Sequence, residues 1–305
     1  MTGKAYCFEI TSIGFLSSLP NHEIIVENRG EHSLEKTGDH LVPGARDKHS
    51  LHYSTHNPIL YGVFMNLEIA TLRLTTTLDS GDKATSSDDT QIGLWGERYG
   101  IVAGSAIQSN FFINDGSLFE QLENEERTFR KMSFKSHRFH LYGSVYSWGG
   151  HLGKILDNVD YPKKSGGALV VIPSIDQVTI DAGGPLIPAS QQTIFRSDGG
   201  FSKGEFTALN VSLAVAHTVT FGGFYMSALV GGGVGRAEYS IVHANTSYKH
   251  SSASFKEHYL FSLGYSSKSW LAGCEYNFDS PEYVFRTMTL GTSRNELKAA
   301  IGMLW

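Results

Sequence analysis

Residues 205–240 read EFTALNVSLAVAHTVTFGGFYMSALVGGGVGRAEYS, and their alternation decides the fold class. In the first arm Leu209, Val211, Leu213, Val215 and Val219 interleave with Asn210, Ser212, Ala214, Ala216 and Thr218. A period of two puts the first set on one face of a strand and the second on the other. After the short turn FGG the second arm sets Phe224, Met226, Ala228, Val230 and Val234 against Tyr225, Ser227, Gly231, Gly233 and Gly235. The glycine run is not a phosphate loop. Arg236 stands where that spacing needs glycine, and no Gly-Lys-Ser/Thr follows.

The same pattern recurs along the chain. Phe255, Tyr259, Phe261, Leu263 and Tyr265 alternate with Lys256, His258, Ser262 and Gly264. Beyond a turn at 266–269, Trp270, Ala272, Cys274, Tyr276 and Phe278 alternate with Gly273, Glu275 and Asn277. The last run, NELKAAIGMLW (295–305), places Leu297, Ala299, Ile301, Met303 and Trp305 on one face. Further strands are read at 5–16, 58–67, 70–78, 98–110, 138–148 and 167–180. With the segments that pattern less regularly, this makes about twelve strands, within bounds of roughly ten and fourteen. No internal repeat suggests a propeller.

Charged residues are only 18% of the chain, its net charge is -5, and no basic stripe is visible, so a nucleic-acid partner is not expected. No apolar run is long enough for a spanning helix. A mean hydropathy of -0.17 suits a membrane barrel, because lipid-facing and lumen-facing residues average out. Several strands are longer than those of soluble sheets, and their less apolar faces carry Gly, Ser, Ala and Asn. Tyr61, Tyr99, Trp148, Tyr265, Trp270 and Trp305 lie near strand ends, where interfacial girdles form. The expected fold is therefore all-β: a single closed antiparallel transmembrane barrel over residues 1–305, with 1–56 as first strand plus long loop. A soluble β-sandwich or lipocalin-like binder is the alternative.

Tight turns are expected near Gly222 and Lys268. Long polar loops are expected at 79–91, 114–127, 181–200 and 243–252, so short turns gather at one rim and long loops at the other. Ser117 and Glu120 have capping-box spacing, which predicts a short helix over 118–128. The N-terminus is a poor signal peptide, with Glu9 inside its apolar part. The expectation is an outer-membrane protein of a Gram-negative bacterium whose signal has been removed.

Arg73, Arg138, His140, Lys256, His258, Glu275 and Lys298 are the polar candidates for the lumen. They read either as a narrow channel or solute-binding pore, or as a salt-bridged plug. His137 and His140 fall on opposite strand faces, so they cannot share an ion, and His217 reads as a rim residue. The acidic run with Asp79, Asp82, Asp88 and Asp89 lacks the spacing of a calcium loop. Serines near His56 and His250 raise a lipid-modifying hydrolase as a second reading, without an identifiable acidic partner. No catalytic residue, metal or cofactor is assigned. Cys7 and Cys274 form no CxxC pair and read as packing residues.

HNPILYGVFMNLEIATLRL (56–74), ERYGIVAGSAIQSNFFI (97–113) and YPKKSGGALVV (161–171) occur in that order. Together they resemble an uncharacterised outer-membrane barrel family of Gram-negative bacteria, a domain-of-unknown-function family, from about residue 57 onward. The resemblance implies an outer-membrane barrel and supplies no catalytic residues. The C-terminal alternation is similar to the signal read by the barrel-insertion machinery, with Trp305 in its final position. The expected partners are therefore that machinery, membrane lipid and lipopolysaccharide, with the small solute unspecified.

Overall fold

The computed structural model describes residues 10–28, 34–37, 40–43, 49–55, 59–67, 70–77, 86–115, 130–149, 165–195, 200–243, 246–285 and 288–304. The strands are β1 (Ile10–Asn28), β2 (Leu34–Thr37), β3 (His40–Pro43), β4 (Ser50–Thr55), β5 (Leu60–Leu67), β6 (Ala70–Thr77), β7 (Ser87–Trp95) and β8 (Tyr99–Asp115). There follow β9 (Arg130–Trp148), β10 (Gly166–Asp181), β11 (Lys203–Phe221), β12 (Phe224–His243), β13 (Thr246–Ser266), β14 (Trp270–Val284) and β15 (Met288–Leu304). All but the β2–β3 hairpin join one antiparallel sheet, which closes where β1 pairs with β15 from Ser12↔Leu304 to Asn28↔Met288. Closure removes the sheet edges and excludes a sandwich.

The ring changes width along its axis. Near the turns after β5, β7, β11 and β13 it runs through β1, β5, β6, β7 and β8 to β15, which is twelve strands. At the other end β4 alone bridges β1 to β8 in place of β5, β6 and β7. Replacing three strands by one preserves the alternation of direction.

Two irregularities make the change of partner possible. β1 pairs with β5 up to Ser18↔Leu60 and with β4 from Glu23↔Ser54, and Pro20, which has no N–H to offer, lies between. In β8 the register shifts between Ser109 and Phe111, where Asn110 has φ 67°. Asn tolerates that left-handed backbone better than most residues.

Alternation reverses its chemistry between the two ends. In β11 the outward set Leu209, Val211, Leu213, Val215 and Val219 is exposed, while Asn210, Ser212, Ala214, Ala216 and Thr218 are buried inside. Toward the loop rim the same outward face carries Lys203 and Glu205, and the inward face carries Phe206 and Ala208. β15 repeats this, with Met288 and Leu290 inside at one end and Arg294, Glu296 and Lys298 inside beyond them.

The loop-rim half therefore has an oily core and a wet wall. Ile24, Tyr53, Phe111, Phe134, Phe206, Tyr239, Tyr283 and Phe285 fill it, joined by Leu186, Ile187, Phe195 and Phe201 from the β10–β11 connection. A short helical turn, Gln192–Phe195, and a hydrogen bond from Tyr53 Oη to the Leu186 carbonyl (2.5 Å) fix that connection inside the barrel. The turn-rim half has an apolar outer wall, the belt of a transmembrane barrel. At its lower border Tyr99, Trp148, Phe221, Phe224 and Trp270 are exposed, and Tyr265 packs on Phe224 and Trp270. Tyr61 lies nearer the belt's opposite border, paired with Ser17.

Several expectations change. Residues 246–252 are strand, not loop, and the β12–β13 connection is only 244–245. The turn rim also has one long connection, 149–165. Cys274 does not pack a core: it is an exposed free thiol on the outer wall. The helix expected over 118–128, along with Cys7, His56, Asp79, Asp82 and Trp305, lies outside the described residues. Among the described residues no helix is long and apolar enough to cross a membrane.

Candidate functional site

All seven polar residues read from the sequence face the bore. Five more charged residues, missed in the sequence, join them: Asp89, Asp176, Asp279, Arg294 and Glu296. Arg73, Arg138, Lys256, Arg294 and Lys298 then oppose Asp89, Asp176, Glu275, Asp279 and Glu296, so the bore's charges among the described residues cancel. At membrane level this matters, because an uncompensated buried charge costs several kcal/mol, roughly.

One cluster gathers around Lys256, whose side chain is fully buried. Its Nζ donates to Asp176 Oδ2 (2.5 Å) and His140 Nε2 (2.9 Å), and lies 3.5 Å from Asp279 Oδ1. His140 Nε2 also lies 3.3 Å from Asp176 Oδ1, and its Nδ1 lies 3.3 Å from Tyr142 Oη. His258 Nδ1 lies 3.1 Å from Asp279 Oδ1, and Arg138 Nη1 lies 3.6 Å from Asp279 Oδ2. The Lys256 contacts to Asp176 and His140 and the Arg138 contact to Asp279 span strands that are not neighbours in the ring, whereas Lys256 and His258 of β13 reach Asp279 on the adjacent β14.

The second cluster is tied by Arg294, whose Nη2 donates to Asp89 and to Glu296 Oε2 (2.5 Å). Glu296 Oε1 accepts from Ser18 Oγ (2.6 Å), and its Oε2 lies 3.0 Å from Lys298 Nζ. Glu275 Oε1 lies between Arg73 Nη1 (3.4 Å) and Lys298 Nζ (3.5 Å). The two clusters brace the wall and fill much of the bore.

Ligand atoms of His140, Asp176 and Asp279 lie within 4.8 Å of one another, close enough for a metal's ligand set. Lys256 Nζ stands among them, a tethered cation in the ion's place. His250 packs against Tyr239 with ring centroids 5.6 Å apart. His217 stacks on Trp148 on the outer wall. Of the C-terminal set, Leu297, Ile301 and Met303 are exposed outward, and Ala299 shares their face.

The remaining space forms a series of small cavities. The first, about 60 Å³, lies toward the turn rim beside Arg73, Leu271, Gly273 and Glu275. The second, about 60 Å³, shares Arg73 and Glu275 with it and adds Gln91, Trp95 and Tyr142. The third, about 50 Å³, shares His258 and Asn277 with the second and reaches Arg138 and Asp279. Along the inward face of β14, Leu271, Gly273, Glu275 and Asn277 are half-buried, while Asp279, Pro281 and Tyr283 are buried. Exposure along this face thus falls off near Asp279, beyond which a smaller cavity of about 30 Å³ lies beside Phe134, Val178 and Pro281.

A family model described as domain of unknown function DUF4421 matches residues 39–302. The chain belongs to the DUF4421 family. Among solved structures this DUF4421 barrel is similar to the outer-membrane protease OmpT from Escherichia coli, at 8% identity over 99% of both chains, with a TM-score of 0.42. It is also similar to the toluene transporter TodX of P. putida, at 8% identity over 97% of this chain and 90% of that one, with a TM-score of 0.29. A search of curated proteins returns no match.

Proposed function

We propose that this DUF4421 barrel resides in the outer membrane of a Gram-negative bacterium as a solute-binding barrel with one open end, not a through channel. The single observation that carries the reading is the reversal of polarity inside the barrel. A polar bore rises from the turn rim and ends against an apolar core that includes Leu186, Ile187, Phe195 and Phe201, each fully buried. Water and ions have no polar route through such a core.

The apolar outer wall fits membrane lipid. The long connections at the opposite rim fit the lipopolysaccharide side, which puts the turn rim toward the periplasm. The outward face of β15, with Leu297, Ala299, Ile301 and Met303, is the segment proposed to engage the insertion machinery.

Two measurements on the full chain test this reading. Membrane fractionation should place the protein in the outer membrane, with gel mobility that changes on heating. In planar bilayers the folded protein should show no standing conductance. Steady single-channel steps from the wild-type barrel would overturn the closed-end reading.

A further inference from the structure

The second and third cavities share Gln91, Val102, Tyr142, His258 and Asn277, so they form one chamber in mid-bore. Its walls hold polar atoms with no partner among the described residues: the indole Nε1 of Trp95, Nε2 of His258 and Nε of Arg138. His258 is only 6% exposed, and with Nδ1 turned to Asp279 its Nε2 is left for the chamber. Buried polar groups of this kind ordinarily have a partner. The side-chain amides of Gln91 and Asn277 and the hydroxyl of Tyr142 add further donors and acceptors.

The charges at the two ends of the chamber are already matched. Arg73 faces Glu275 at 3.4 Å, and Arg138 faces Asp279 at 3.6 Å. These separations exceed those of tight charged hydrogen bonds but are too short to admit an atom between the partners, so each pair stays matched and can only add a hydrogen bond on its chamber side. A singly charged guest would leave one charge uncompensated in a bore that is neutral without it, which is costly at membrane level. A guest carrying both signs, or neither, avoids that cost.

We propose that this chamber binds a small polar solute of no net charge, a short zwitterion or a polyol, admitted from the turn rim. The proposal rests on the one-ended bore described under Proposed function. Trp95 and His258 supply the hydrogen bonds that orient the guest, and the two ion pairs select against net charge. The chamber's size limits the guest to a few heavy atoms.

The test uses the full-length barrel in detergent, with glycine, glycerol, acetate and methylammonium as probes and saturable binding followed by ligand-detected NMR. Glycine or glycerol should saturate, the one that does so identifying zwitterion or polyol, and acetate and methylammonium should bind at least tenfold more weakly. Trp95→Phe removes one N–H while keeping an aromatic ring, and should weaken binding about five- to tenfold. Gln91→Leu is the second variant if Trp95→Phe fails to fold, folding being read from heat-modifiable mobility. The proposal is overturned if neither glycine nor glycerol saturates, if a charged probe binds equally well, or if folded variants bind as the wild type does. Conductance of the wild-type barrel would instead strike the closed-end reading and leave this binding result standing.

Discussion

Glu205 and Val215 lie on the same outward face of β11, and Phe206 and Ala216 on the same inward face, yet water and oil have changed places between them. Near Glu205 the barrel is built like a soluble protein, with aromatic rings inside and charges outside. Near Val215 it is built for lipid, with small polar residues inside. Strand geometry is the same in both halves, so the difference lies in the solvent each half meets. The ring also narrows from twelve strands to ten where the interior turns oily, because β4 replaces β5, β6 and β7 there. A narrower ring is easier for side chains to fill.

The sharpest way to break this comparison is to put lumen chemistry into the oily half. Phe206 is fully buried against Tyr283 and Phe285, with ring centroids 5.2 and 5.8 Å away. Phe206→Asp should cost more than about 5 kcal/mol and abolish the heat-modifiable form. In the polar half the corresponding blow is Lys256→Met, which leaves Asp176 and Asp279 without their shared ammonium. It should lower stability by about 3–5 kcal/mol in urea titration of the barrel in lipid. If that loss were under about 1 kcal/mol, the ionic belt would not be what braces the bore.

The outer wall gives a matched pair. Val215→Arg puts a charge into the lipid belt and should cost about 2–4 kcal/mol. Glu205→Arg, on the same face of the same strand, should stay within about 0.5 kcal/mol because that position meets water. Equal costs would mean that the membrane boundary does not fall between them. The smallest of the destabilising effects is expected at the turn, where Gly222 has φ 54° and Gly223 φ 99°. Gly222→Ala meets no neighbouring atom and pays only for the left-handed backbone, about 1 kcal/mol by the same titration.

Several parts of the interior were legible from alternation alone. Lys256 and His258 are two apart on a strand whose other face is apolar, so their inward direction follows from the pattern. Arg73, Arg138, Glu275 and Lys298 were readable in the same way. Their partners were harder to see. Asp89 sits in an acidic run that reads as a solvated loop, yet it lies within β7, faces the bore and meets Arg294 of β15. Asp176 lies in a strand rich in Val and Ile, where one carboxylate does not break the pattern. Placing every second residue inward through 174–178 and 288–298 would have found Asp176, Arg294 and Glu296, but not their pairing. Read from the sequence, the candidate set was cation-rich, with four Lys or Arg, two His and one acid; in the folded bore five Lys or Arg face five carboxylates among the described residues.

By itself the sequence determined the all-β class, the outward apolar faces of the strands and the short Gly222–Gly223 turn, because period-two alternation and positive φ are properties of neighbouring residues, and it pointed to a barrel that only the β1–β15 pairing closes. Tertiary structure decided the rest. Whether ten strands or twelve encircle a given level depends on which edges β1 and β8 offer to β4, β5 and β7. Whether the bore is open or sealed depends on where the β10–β11 connection folds. Whether Lys256 is a stray charge or the centre of a network depends on residues up to 116 positions away in the chain, His140 among them. Each is a long-range contact, and closing the ring is what brings those partners within reach.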